Sequence, residues 1–199
     1  MHYTRFGKIS QDMIDPIKDL VSNRSLSAYR DRDLDVMMLP KHITHGLYSA
    51  IFPKDFETDE VQICHSKVLI TMPEGGWWIH KDGKDKNVAF NIVLQCNPED
   101  WVRWYSEEEI EKLGLPVFRS NSSQSSSRDV LYKNYENTPF ELEIHNEPGD
   151  VYLVNTDKYH TFKNKGTQVR LVIQTKFKPN PTFEQVLTRI NQTGLLNIS

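Results

Sequence analysis

Between Val61 and Phe177 the chain is a succession of short apolar runs of strand length, separated by turn residues, and this rhythm limits the folds open to it. Val61–Met72 (interrupted by His65-Ser66-Lys67), Val88–Cys96, Val130–Tyr135, Phe140–His145, Val151–Val154 and Val169–Phe177 read as strands, and Trp77–Asp82 as a short strand or strand end. Pro73-Glu74-Gly75-Gly76 reads as a turn. So does Glu147-Pro148-Gly149-Asp150, with Pro then Gly in the central positions, as a type II turn requires. Helical signals flank the strands. Asp15-Pro16 has the form of an N-cap and first helical residue, with Ile17, Leu20 and Val21 on one face. Ser106–Leu113 is a short helix with a Ser106/Glu109 capping box, stopped by Gly114 and Pro116. A C-terminal helix over 181–192 carries Phe183, Val186, Leu187 and Ile190 in one stripe and ends near Gly194. The pattern predicts a mainly β sandwich or barrel-like sheet pair with flanking helices.

A length of 199 residues suits one domain over 1–199. Its core would lie over about 61–178, after a helical or irregular segment at 1–60 and before the C-terminal helix. A net charge of -3 gives no support to general nucleic-acid binding, which shows a basic surplus. Cys64 and Cys96 lie in separate apolar stretches and read as buried, reduced thiols. Neither a signal peptide nor a run long enough to span a bilayer is visible, so the expectation is a soluble cytoplasmic protein without a membrane partner. Arg30-Asp31-Arg32-Asp33 reads as a solvated charge run, and Arg119–Arg128, rich in Ser and Asn, as a mobile inserted loop.

His80-Lys81-Asp82, then His160, then Arg170 is the constellation with chemical content. Residues two apart on a strand point the same way, so His80 and Asp82 can converge on one ion. Two imidazoles and one carboxylate form the facial ligand set of non-haem Fe(II), which leaves metal positions open. A lone His-x-acid pair is weak, and is more often a surface His beside a carboxylate. His145-Asn146-Glu147 is a second such pair, but it runs into the Pro-Gly turn and lacks a suitably distant second His. Over 169–175, alternation separates Val169, Leu171 and Ile173 from Arg170, Val172 and Gln174. An Arg on a half-buried strand needs a partner. That partner is either an internal acid in a structural salt bridge or a carboxylate ligand gripped by the planar guanidinium.

Taken in order, His80-x-Asp82, Phe90–Leu94, Pro148–Leu153, His160, Asn164 and Arg170 resemble the 2-oxoglutarate and Fe(II)-dependent oxygenases over roughly residues 65–178. The stretch from His160 to Ile173 is most similar to the aspartyl/asparaginyl β-hydroxylase and prolyl-hydroxylase-like branches. The resemblance implies a double-stranded β-helix, the jelly roll also seen in cupins. It implies Fe(II) held by His80, Asp82 and His160, and 2-oxoglutarate chelating the iron with its far carboxylate on Arg170. O2 would take the remaining position. The implied outcome is hydroxylation of an amino acid, a peptide side chain or a small metabolite, and Asp82 argues against halogenation. Asn91, on the face of Ala89 and Val93, is a candidate for the inner carboxylate or for satisfying nearby backbone. Gln174, on the face of Arg170, is a weaker candidate. A basic residue often helps bind the inner carboxylate in the β-hydroxylase branch, and Ala89 stands near its place. Trp77 and Trp78 are expected in the core, with one of them as the alternative wall of the substrate pocket, Trp101 and Trp104 at the mouth of that pocket with the 119–128 loop, and His42, His45 and His65 as ordinary residues. Two rivals remain: a cupin-type metalloenzyme, for which the missing His-x-His speaks against, and a non-enzymatic jelly-roll binding or structural module. The latter predicts no metal uptake and Arg170 paired with an internal acid. The sequence leaves oligomeric state open.

Overall fold

The computed structural model describes residues 1–22, 34–82, 87–114, 118–119, 127–130 and 136–199, with 118–119 and 127–130 as backbone. In chain order its elements are β1 (Tyr3–Lys8), α1 (Gln11–Ser22), β2 (Leu34–Met38), α2 (Lys41–Ile51), β3 (Gln62–Thr71), β4 (His80–Asp82), β5 (Val88–Gln95), β6 (Trp101–Trp104), α3 (Glu107–Lys112), β7 (Phe118–Arg119), β8 (Ser127–Val130), β9 (Leu142–Ile144), β10 (Asp150–Asn155), β11 (His160–Lys163), β12 (Arg170–Lys178) and α4 (Phe183–Thr193). The strands form two antiparallel sheets: a major sheet in the order β1-β10-β5-β12-β3-β2 and a minor sheet in the order β7-β8-β4-β11-β6-β9. They face one another as a double-stranded β-helix.

Alternation on the major strands assigns each residue to one of two layers. Phe90, Ile92 and Leu94 of β5, Leu171, Ile173 and Phe177 of β12, and Val68 and Ile70 of β3 point outward. There they pack on Ile14, Ile17 and Val21 of α1, Leu47, Tyr48 and Ile51 of α2, and Phe183, Val186 and Ile190 of α4. Each large side chain buried in this layer contributes on the order of 1.5–3 kcal/mol. Val93, Tyr152, Val154 and Val172 point inward, onto Val102, Trp104 and Phe162 of the minor sheet. Behind the minor sheet, Ile79, Trp101, Tyr105 and Tyr159 pack on Ile110 of α3.

Several sequence expectations change. Strands β1 and β2 lie within 1–60, where a helical or irregular segment is expected; each forms an edge of the major sheet. Helix α1 begins at Gln11, not Asp15, and holds Pro16 inside it. Burial of Ile14 together with Ile17 and Val21 extends the apolar stripe a turn upstream and offsets the hydrogen bond that Pro removes, while Leu20 is exposed. Ser106 caps α3 by accepting from the Glu109 N–H at 3.0 Å. Thr182 and Gln185 cap α4 reciprocally, and Gly194 ends it with φ 74°. The Glu147–Asp150 turn forms as expected, with Gly149 at φ 89°. Both cysteines are free thiols, but Cys64 is exposed because it faces away from the cleft at the open end of β3. The charge run at 30–33, Pro116, most of the 119–128 loop and residues 131–135 lie outside the described residues.

The loop between β11 and β12 fixes the step from His160 to Arg170. Asn164, fully buried, donates to the carbonyls of Thr71 at 3.1 Å and Gln168 at 2.8 Å, while its Oδ1 accepts from Asn97 at 2.9 Å and from the Gly166 N–H at 3.0 Å. Asp100 accepts from the Asn97 N–H and the Lys165 N–H, both at 2.9 Å. Gly166 packs directly on Asn97: a Cβ there would lie 1.9 Å from Asn97 Cγ and 2.4 Å from its Cβ. Gly166→Ala should therefore expel Asn97 from the network and cost about 1–3 kcal/mol, read as a lowered midpoint in urea denaturation.

Candidate metal and carboxylate site

The centre of the cleft is built where β4 meets β11. His160 pairs with His80 across the two strands, and the imidazole centroids lie 4.3 Å apart. Asp82, two residues along β4, lies on the same side, so one donor atom from each of His80, Asp82 and His160 falls within 4.8 Å of the others. All three side chains are buried. No other cluster of three such ligands occurs among the described residues.

The imidazoles are oriented by their own backbone. Nδ1 of His80 lies 2.8 Å from the Trp78 carbonyl, and Nδ1 of His160 lies 2.8 Å from the Lys158 carbonyl. A carbonyl only accepts, so each Nδ1 carries the proton and each Nε2 presents a lone pair. That is the form in which histidine binds a metal. Burial, then the neighbouring His80, push the His160 pKa down to about 3. Burial alone would raise the Asp82 carboxyl, but the Lys176 ammonium and contacts to His80 override it and hold that group well below the usual carboxylate range. The donor set is therefore two neutral imidazoles and one carboxylate, which fits a divalent metal such as Fe(II).

Arg170 enters from β12, beside Thr71 of β3, and is 3% exposed. Its guanidinium lies 5.4 Å from the Phe162 ring centroid and beside the Tyr152 hydroxyl, which also meets Asn91. Among the described residues no carboxylate lies within ion-pair distance of Arg170, so the internal salt bridge expected of a purely structural Arg is missing there. Asn91 and Gln174 face each other across β5 and β12, buried and lining the cleft. Asn91 Oδ1 is buried without a hydrogen-bond partner. Among the described residues the cleft thus holds a buried cation without an acid and an orphaned amide oxygen, each able to meet a polar ligand.

The structure thus brings His80, Asp82, His160, Arg170, Asn91 and Gln174 to one cleft. Of the tryptophans, Trp77 takes the pocket-wall alternative and the other three fall elsewhere than expected. Trp77 is half-buried and lines the cleft, stacked on an exposed Trp78 with centroids 5.7 Å apart; Ile79 takes the core position instead. Trp101 and Trp104 are buried in the layers on either side of β6, a strand interior to the minor sheet, and do not form a cleft mouth. Tyr152 and Lys176 were missed. Both follow from alternation: Lys176 continues the face of Arg170, Val172 and Gln174, and a Lys on a doubly buried strand implies an acid partner. Lys176 stands beside Ala89 across β12 and β5, with its ammonium on Asp82.

No protein-family model matches this sequence, and no curated protein matches it. Solved structures are similar to it in fold. The non-heme α-ketoglutarate-dependent carbocyclase SnoK from nogalamycin biosynthesis superposes with a TM-score of 0.53 at 14% identity, over 88% of this chain and 79% of that one. HygX from Streptomyces hygroscopicus, with nickel and 2-oxoglutarate bound, gives 0.57 at 9% identity over 92% and 83%. The α-ketoglutarate-dependent epimerase SnoN from nogalamycin biosynthesis gives 0.54 at 11% over 88% and 78%. At these identities the likeness establishes the shared jelly roll.

The imidazole environment has a pH consequence in the metal-free protein. His160 binds its proton less tightly than an imidazole in the unfolded chain, so below about pH 6.5 unfolding takes up a proton, and stability falls as the pH drops toward 3. The contribution is about 2 kcal/mol between pH 6.5 and 5. Urea denaturation across that range should show a shallower pH slope for His160→Gln than for the parent.

Proposed function

We propose that this protein is a 2-oxoglutarate- and Fe(II)-dependent oxygenase that hydroxylates a small molecule or a peptide side chain. The observation that carries the reading is the convergence of His80, Asp82 and His160 in the cleft that also holds Arg170, a buried cation with no acid partner among the described residues. Similarity in fold to HygX, solved both with iron and with nickel and 2-oxoglutarate, supports it. The proposal is made for the superfamily as a whole. The likeness of residues 160–173 to the β-hydroxylase and prolyl-hydroxylase branches has no counterpart among these structures, which include a carbocyclase and an epimerase.

When bound, Fe(II), 2-oxoglutarate and O2 supply the oxidising power, coupling loss of CO2 to oxidation of a substrate C–H bond. The protein's share is placement. His80 and His160 would hold the ion through Nε2, and Asp82 through its carboxylate. Arg170, with the Tyr152 hydroxyl beside it, would hold the far carboxylate of the keto acid through charge-assisted hydrogen bonds. Asn91, whose Oδ1 is otherwise unsatisfied, and Gln174 supply polar contacts nearer the metal. Val102, Val172, Leu69 and Phe162 line the cleft with apolar surface and exclude water, which strengthens the ionic contacts.

The test is anaerobic addition of Fe(II), then 2-oxoglutarate, to metal-free protein, followed by visible absorption. A weak charge-transfer band that needs both additions is the expected result. No iron retained and no band would leave the non-enzymatic jelly-roll module as the reading. In the same assay His160→Ala should lose iron while keeping its fold. Arg170→Ala should keep iron and bind 2-oxoglutarate more weakly by about 2–5 kcal/mol, since a buried charge pair loses one partner.

A further inference from the structure

The two oxygens of Asp82 are in different company. Oδ1 is turned to Nε2 of His80 at 3.5 Å. Oδ2 accepts from Nζ of Lys176 at 2.5 Å, and the same ammonium donates to Thr156 Oγ1 at 3.4 Å. Thr156 also ties down the strand, because its carbonyl accepts from the Asp82 N–H at 2.9 Å. Lys176 is 3% exposed and does not line the cleft, so its ammonium meets the carboxylate shielded from solvent.

We propose that Lys176 is a positioning residue that reserves Oδ2 of Asp82 and so commits the carboxylate to a single metal-facing oxygen, Oδ1. This rests on the metal site proposed above. A carboxylate offers a metal one oxygen or both. Were both to bind, the three side chains would fill four octahedral positions, and a keto acid binding through two atoms would take the remainder. With Oδ2 held by an ammonium in a charge-assisted hydrogen bond, the protein fills three positions and one stays open beside the chelated co-substrate. Lys176 does this at a cost in metal affinity, because its positive charge stands close to the cation.

The experiment compares the parent with Lys176→Met, which keeps the length of the side chain but not its charge, and with Lys176→Gln, which keeps one donor for Oδ2. Each protein is loaded with Co(II) as a spectroscopic stand-in and titrated with 2-oxoglutarate, with circular dichroism as the check on folding. Lys176→Met should bind Co(II) at least as tightly as the parent, show a changed visible d–d spectrum, and bind 2-oxoglutarate at the metal at least tenfold more weakly. Lys176→Gln should fall between the two. A parent-like spectrum and parent-like 2-oxoglutarate binding in a folded Lys176→Met would overturn the proposal, because Lys176 would then hold Oδ2 only while the metal is absent. Loss of Co(II) from a folded variant would also overturn it, since Lys176 would then be needed for binding as such and not for choosing the oxygen. Failure of the parent itself to bind Co(II) would instead refute the metal site, and the proposal with it. The parent alone gives a second readout that needs no variant. In infrared difference spectra with and without metal, on protein labelled with 13C at its aspartate carboxyls, the antisymmetric and symmetric carboxylate stretches should separate as for one-oxygen coordination. A narrow, two-oxygen separation would overturn the proposal.

Discussion

Strand β12 cannot shift by one residue, and much of the structure depends on that. Its outward face carries Leu171, Ile173 and Phe177 into the layer under the helices, and its inward face carries Arg170, Val172 and Gln174 into the cleft and Lys176 onto Asp82. A slip of one position would bury two cations among the side chains of α1, α2 and α4 and turn three large apolar groups toward His80, Asp82 and His160. Pairing to β5 on one side and β3 on the other holds the register from both edges. The helices that cover the outer face are therefore part of what places a guanidinium in the cleft and an ammonium on Asp82.

The balance of charge in the interior follows from this. Asp82, Lys176 and Arg170 are all buried, and only Asp82 and Lys176 are matched to each other among the described residues. A buried ion pair is weak evidence for stability, since desolvation of both partners offsets their attraction. Its retention beside two imidazoles is better understood as a matter of geometry at the carboxylate than of holding the sheets together. Apolar contacts in the layers on either side do that.

What the sequence makes legible tracks the length of each element and the number of its faces in contact. β3, β5, β10 and β12 are long or wholly buried, and their runs and turns stand out unaided. β1 and β2 are edge strands of half-buried residues with little alternation to see, and β6 and β11 are only four residues long. Their pairing is set by distant partners, which no local window contains. The site follows the same division. His80, Asp82, His160 and Arg170 are visible as residue types at a spacing, whereas the Tyr152 contact to Arg170 and the Lys176 contact to Asp82 are made between strands. The tryptophans mislead for a related reason: their bulk predicts burial or a wall, and only the sheet order decides which.

Each imidazole of the pair is steered by a carbonyl from the residue two places before it, Trp78 for His80 and Lys158 for His160. Every amino acid brings that same oxygen. Substitutions at positions 78 and 158 can thus change the side chains there without disturbing the aim of the nitrogens that follow. The chain separates the part of its chemistry that must stay constant from the part free to diversify, and it does so within two tripeptides.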